Sequence, residues 1–163
     1  MEQKRENCTC RAPRFRPRLE GCVARDRHMA AALEVCYVDA FASVAANVYR
    51  SLVTAEADRG LSETYEWIAE EALEEFRTLG ELILALGGDA MLRQSRRVRP
   101  CASSSDTRFL RACRAECERS IDRYETLMSR TGDRVVRSVL AGLLSGQRRI
   151  AEKIMRLDSE KSC

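Results

Sequence analysis

The sequence predicts an all-α fold: a four-helix bundle with one long crossover, built from two related helical hairpins. Three observations carry that expectation. Apolar residues recur at alternating steps of three and four in four segments, the spacing of a helix with one buried stripe. Glycine and proline, at 8 and 3 of 163 residues, are too sparse for a turn-rich β-fold. The four segments are joined by a short, a long and a short connection, the connectivity of a bundle with one crossover. Length and composition leave room for one domain, since 45% hydrophobic residues fill a single core and 33% charged residues cover exposed helix faces.

Residues 1–28 have no apolar period and read as a basic, disordered arm, with Pro13 and Pro17 set among arginines. Of the formal net charge of +3, residues 1–27 hold +4 and residues 93–99 another +4, leaving −5 on the rest. Such an arm and loop can touch phosphates, headgroups or an acidic partner. No aromatic interleaving or nucleic-acid motif accompanies them, so a solvated arm is favoured and nucleic acid is not expected as a partner. The bundle is expected over 29–158, followed by a tail at 159–163. Its first helix spans about 29–56, with the stripe Val35, Val38, Ala42, Ala45, Tyr49, Leu52. Gly60 and Ser62 mark the next turn, Ser62 as N-cap. The second helix, about 62–87, shows Ile68, Ala72, Glu75, Leu79, Leu82, Leu86 and ends on Gly87-Gly88, where a left-handed cap favours glycine. Residues 89–105 form the long polar connection, with Pro100 and Ser103-Ser104-Ser105 before an Asp106 cap. The third helix, about 106–130, shows Leu110, Cys113, Cys117, Ser120, Tyr124, Leu127. Gly132 separates it from a fourth, about 133–157, with Val136, Leu140, Leu143, Gln147, Ile150, Ile154, Leu157.

No unbroken apolar run reaches the ~18 residues of a membrane span, and no signal-peptide core follows the basic start. No membrane span and a cytoplasmic location are therefore expected. Eight cysteines contain no CxxC pair, and the single histidine, His28, has no ligand-like spacing to them, which argues against a zinc finger. In a reducing compartment disulfides are not expected. Cys36, Cys113 and Cys117 read as compact apolar fillers of helical patterns, and Cys8, Cys10 and Cys163 as accessible tail thiols.

An offset of 75 residues lays the first hairpin on the second without an insertion. Tyr49 then meets Tyr124, Leu52 meets Leu127, Asp58-Arg59 meets Asp133-Arg134, and Leu82 meets Leu157. The expectation is two related hairpins around a pseudo-twofold axis.

The run from Ile68 to Glu75, continuing as Leu79-Gly80-Glu81-Leu82-Ile83-Leu84-Ala85-Leu86-Gly87-Gly88-Asp89, resembles the second helix of small bacterial ferritin-like proteins related to rubrerythrins and manganese catalases. The resemblance covers about residues 33–157. It implies the ferritin-like bundle and, in the family, a dinuclear iron or manganese site. Each half of that site uses a Glu seven residues before a Tyr on one helix and a Glu-x-x-His pair on the next. Carried over residue by residue, these positions fall on Ala42, Ala72 and Glu75 in the first half and on Cys117, Gln147 and Ile150 in the second. A two-residue slip of the first helix would substitute Ala40. The resemblance thus implies a retained bundle with a degenerate site: no metal, no cofactor and no catalytic residue are expected.

A substitute soft-metal site using Glu75 with Cys36, Cys113 and Cys117 is the sharper alternative, and compact core packing the favoured one. Glu75 is expected to pair with an arginine or turn to solvent, a protonated buried acid being the alternative. Gln147 is expected as a satisfied core amide bonded to Tyr49 or Glu75, and Tyr49 and Tyr124 as core tyrosines. The functional expectation is a structural or interaction module, with the partner unspecified and a homo-oligomer left open. The alternatives are a divergent metal-dependent oxidoreductase of the ferritin-like type and an adaptor whose basic arm binds an acidic partner.

Overall fold

A computed structural model describes residues 23–90 and 105–160. Four helices make up the fold: α1 (Arg27–Thr54), α2 (Arg59–Ala85), α3 (Asp106–Arg130) and α4 (Arg134–Glu160), with no strand among the described residues. α1 lies along α2 and α3 along α4, giving two hairpins; α2 and α4 touch more closely than α1 and α3. The basic arm up to residue 22, the 93–99 loop, Cys8, Cys10, Cys22, Cys101 and Cys163 lie outside the described residues.

Each helix start is fixed by a side-chain oxygen that takes an otherwise orphaned backbone N–H. Asp26 accepts from His28 and Met29 at α1, and Asp58 from Leu61 at α2. Asp133 accepts from Val135 and Val136 at 2.8 and 3.2 Å at α4. Those bonds, with Val136 first, hold the half-buried Asp133 carboxyl below its usual range. Two expected caps are thereby corrected. Ser62 is inside α2, and its hydroxyl donates to the Ser51 carbonyl at 2.9 Å, tying α2 to the end of α1. Asp106 is the first residue of α3, which Ser105 caps. The end of α2 follows expectation. Gly87 has φ +80, its N–H bonds to Leu84 O, and the Gly88 N–H reaches Ile83 O at 2.9 Å, a Schellman pair.

The expected stripes of α2, α3 and α4 are turned inward, with Cys113 and Leu157 half-buried. That of α1 is not: Val35, Tyr49 and Leu52 are 48%, 39% and 72% exposed, and Ala45 is exposed. The inner stripe of α1 is Leu33, Cys36, Ala40, Asn47, Arg50, Ser51 and Thr54. Its polar members find partners within α1 or, for Arg50, on α3. The Asn47 amide donates to Ser43 O at 2.9 Å, the Ser51 hydroxyl to Val48 O at 2.9 Å, and Arg50 lies 4.8 Å over the Phe109 ring. α1 is also long and apolar enough by length and composition to cross a membrane, although Glu34 and Asp39 interrupt its apolar run; 33% of that window is buried in the bundle.

Burial corrects the repeat as well. The inner stripes of α2 and α4 coincide at the offset of 75, with Asp58 and Asp133 as equivalent caps. The inner stripes of α1 and α3 coincide at 77, which lays Leu33 on Leu110, Cys36 on Cys113, Ser43 on Ser120 and Thr54 on Thr131. Between equivalent buried positions the path from α1 to α2 is therefore two residues longer than that from α3 to α4, of which the connections themselves, residues 55–58 and 131–133, account for one. Asn47, not the 39% exposed Tyr49, is the counterpart of Tyr124.

The apolar core is in two parts. One gathers Leu33, Tyr37, Leu82, Ile83 and Leu140 near the Gly87 end, the other Leu61, Tyr65, Ile68, Phe109 and Ile154 near the opposite end. Gly88 closes the first, because a Cβ there would lie 2.7 Å from Ala30 Cβ and 2.9 Å from Ile83 Cγ2. Gly88→Ala should therefore lower the unfolding free energy by about 1–3 kcal/mol through overpacking. Urea unfolding followed by circular dichroism checks this, and an unchanged midpoint would contradict the close approach.

Candidate functional site

Between the two core parts lies a polar layer. Glu75 of α2 is 8% exposed, and its two carboxylate oxygens accept from Tyr124 Oη of α3 and, at 2.5 Å, from Gln147 Nε2 of α4. Three helices from both hairpins thus meet on one carboxylate. The expectation that Glu75 pairs with an arginine or turns outward is corrected. Two neutral donors satisfy it where it stands, so it needs neither water nor a cation to hold its place. Burial pushes its pKa up to about 7, the bonds from Tyr124 and Gln147 offset part of that shift, and Asp39 adds to it. Burial also drives the Tyr124 hydroxyl well above its ordinary value, so it remains a donor.

Because α1 and α3 stand apart, a crevice of about 500 Å³ opens between them and reaches this layer. Five of the six positions implied by the resemblance line it: Ala42, Glu75, Cys117, Gln147 and Ile150. Ala72 is buried, 1% exposed, but does not line it. Repeat register assigns the α1 position to Ala40, the counterpart of Cys117 at the offset of 77 and also on the crevice wall. Alanines on α1 leave the space that larger side chains would fill.

Groups that sequence spacing does not single out hold the mouth and ends. Arg123 of α3 donates to Asp39 of α1 across the opening. At the far end Tyr65 Oη donates to Asp106 Oδ1 at 3.0 Å, and Arg50 Nη1 lies 3.7 Å from the same oxygen. Arg149 of α4 donates to the buried Glu71 of α2 at 2.7 Å, and Lys153 sits 4.4 Å over the Trp67 ring. Pairs between different helices leave no periodic trace, so the sequence carried no signal for them. Asn47 Oδ1, on the crevice wall, is buried with no hydrogen-bond partner among the described residues.

The donor set does not suit a dinuclear iron or manganese centre. Two such ions need several anionic oxygens to replace lost hydration and offset their mutual repulsion. Of the six positions, the alanines and isoleucine offer no donor atom, and the one carboxylate among them, Glu75, already accepts two hydrogen bonds; Asp39 on the crevice wall is engaged by Arg123. Among the described residues no group of three or more His, Cys, Asp and Glu side chains is placed to hold a metal ion. Burial pushes Cys36 up to about 11 and Cys113 and Cys117 up to about 12, so all three stay protonated at neutral pH.

A scan against protein-family models found no match, and a search of curated proteins found none.

The Glu75 carboxyl makes stability depend on pH. Its folded pKa lies above the unfolded value near 4.5, so the native state holds a proton that the unfolded chain has released. Relative to Glu75→Gln, the wild-type chain should lose about 3 kcal/mol as pH rises from 4.5 through 7, with no further loss above that. Unfolding curves of both proteins across that window measure the difference, and parallel stability profiles would sink the assignment.

Proposed function

We propose that this protein is a ferritin-like bundle in which a closed hydrogen-bonded core stands in place of dinuclear metal chemistry, and that it acts as a structural or interaction module. The observation that carries the reading is the Glu75–Tyr124–Gln147 group. Glu75 and Gln147 stand at two of the positions that the resemblance assigns to metal ligands, and each Glu75 oxygen is engaged by a neutral donor from another helix. A carboxylate so held gives up two hydrogen bonds on taking a metal, and the other carried-over positions add no second carboxylate to share the charge. Among the described residues no three His, Cys, Asp or Glu side chains stand together to hold a metal, which weighs against the oxidoreductase alternative with a thiol-rich centre. An association role is supported by the surface of α1, whose exposed side chains are apolar over most of its length.

The test is elemental analysis of protein expressed with iron and manganese supplied and purified without chelator. Metal well below one ion per chain is expected, unchanged by Glu75→Ala. Near-stoichiometric iron or manganese, lost on Glu75→Ala, would overturn the reading in favour of an oxidoreductase.

A further inference from the structure

Of the large hydrophobic side chains left exposed among the described residues, six lie on α1: Val35, Phe41, Val48, Tyr49, Leu52 and Val53, from 39% to 72% exposed. They are not scattered. Val35, Tyr49 and Leu52, with the half-buried Val38 and Ala42 and the exposed Ala45, form the seam 35, 38, 42, 45, 49, 52, which Phe41, Val48 and Val53 flank; it is turned away from the buried stripe, and its central Ala42 and Ala45 also border the crevice beside α3. Steps of three and four sustained over that length are the spacing a second helix recognises. The bundle does not require this seam. α3 plays the same part in the second hairpin, and at the offset of 77 its residues opposite Phe41, Ala42, Ala45, Tyr49 and Leu52 are Glu118, Arg119, Asp122, Thr126 and Ser129. One hairpin solvates this face and the other makes it apolar.

We propose that the outer face of α1 is the interface of a homodimer, in which α1 packs antiparallel against α1 of a second copy about a twofold axis between Ala42 and Ala45. The pattern is its own mirror under that operation. Val35 of one copy meets the partner's Leu52, Val38 the partner's Tyr49, and Ala42 the partner's Ala45, so the small pair lets the helices close at the centre and the large pairs fill the flanks. A twofold contact needs this self-complementarity, residue i meeting j and j meeting i. Size is adequate too. At their fractional exposures the six large side chains leave on the order of 500 Å² uncovered, which the exposed alanines extend towards the roughly 800 Å² per partner of a stable interface. Charge favours a protein over a lipid surface, because Glu34 and Glu56 border the seam where an anionic membrane would select basic residues.

The inference names the partner for the association role above and rests on it. The full chain is examined by sedimentation equilibrium. A mass twice 18.5 kDa at about 10 µM is expected. Val35→Lys and Leu52→Glu should each weaken dimerisation about a hundredfold, since each strands two charges, one per copy, in an apolar contact. The double variant Val35→Lys with Leu52→Glu should recover at least about tenfold, because antiparallel pairing sets each lysine against the other copy's glutamate. The milder pair Tyr49→Thr and Leu52→Ser, copied from α3, should also give monomers with wild-type helical circular dichroism, so that loss of the dimer is not loss of the fold.

A monomeric wild type, a dimer insensitive to these changes, or losses that add in the double variant would each overturn the proposal. So would a monomer that pellets with phosphatidylcholine–phosphatidylglycerol vesicles. The two readings fail separately: a metal-loaded dimer removes the metal-free reading alone, and a metal-free monomer removes the interface alone.

Discussion

A carboxylate without a cation beside it lies where the two hairpins meet, and the arrangement of the bundle follows from having to satisfy it. Leaving such a group unbonded in a low-dielectric interior costs several kcal/mol, so its donors must come from inside the fold. Tyr124 and Gln147 reach Glu75 only if α3 and α4 hold one rotation and one height against α2. Apolar contacts on either side would tolerate a sliding of one hairpin over the other. The polar layer does not, because a displacement of one helical turn would strand three buried groups at once.

Holding α2 to α4 leaves α1 and α3 to be kept in place by groups at the edge. Asp39 with Arg123 spans the opening, and Arg50 and Tyr65 converge on Asp106 at one end. These contacts fix a separation rather than close it, and the alanines of α1 provide no bulk to fill the space. The half-buried Cys113 and buried Cys117 on its wall stay neutral because burial penalises the thiolate. The same residues that make the crevice roomy make it chemically quiet.

Three of the four inner stripes were legible in the sequence because their apolar residues follow one period and nothing competes with it. α1 was not, since it carries two stripes of opposite direction and the more apolar one faces out. Asn47, Arg50 and Ser51 look like surface residues until their partners are known. Glu75 was legible as an isolated acid in a buried stripe, but its donors were less so. Gln147 was foreseen as a partner. Tyr124 was paired with Tyr49 by a repeat alignment that the longer first turn invalidates. Helix starts were legible to within a few residues; which oxygen caps them depends on backbone angles that composition does not give.

The two-residue difference in register between the α1–α2 and α3–α4 junctions has a consequence beyond alignment. Two residues rotate a helix by about 200°, nearly the angle between the two stripes of α1. A helix with two apolar sides cannot choose between them by hydrophobicity, so the length of its connection becomes the selector. One loop length sends leucine, cysteine and alanine inward with a few locally satisfied polar groups and sends valine, tyrosine and leucine to the surface; a loop two residues shorter would favour the opposite assignment. Surface character in this chain is thus written partly in the turn at Ala55–Ala57, at a distance from the residues whose exposure it decides.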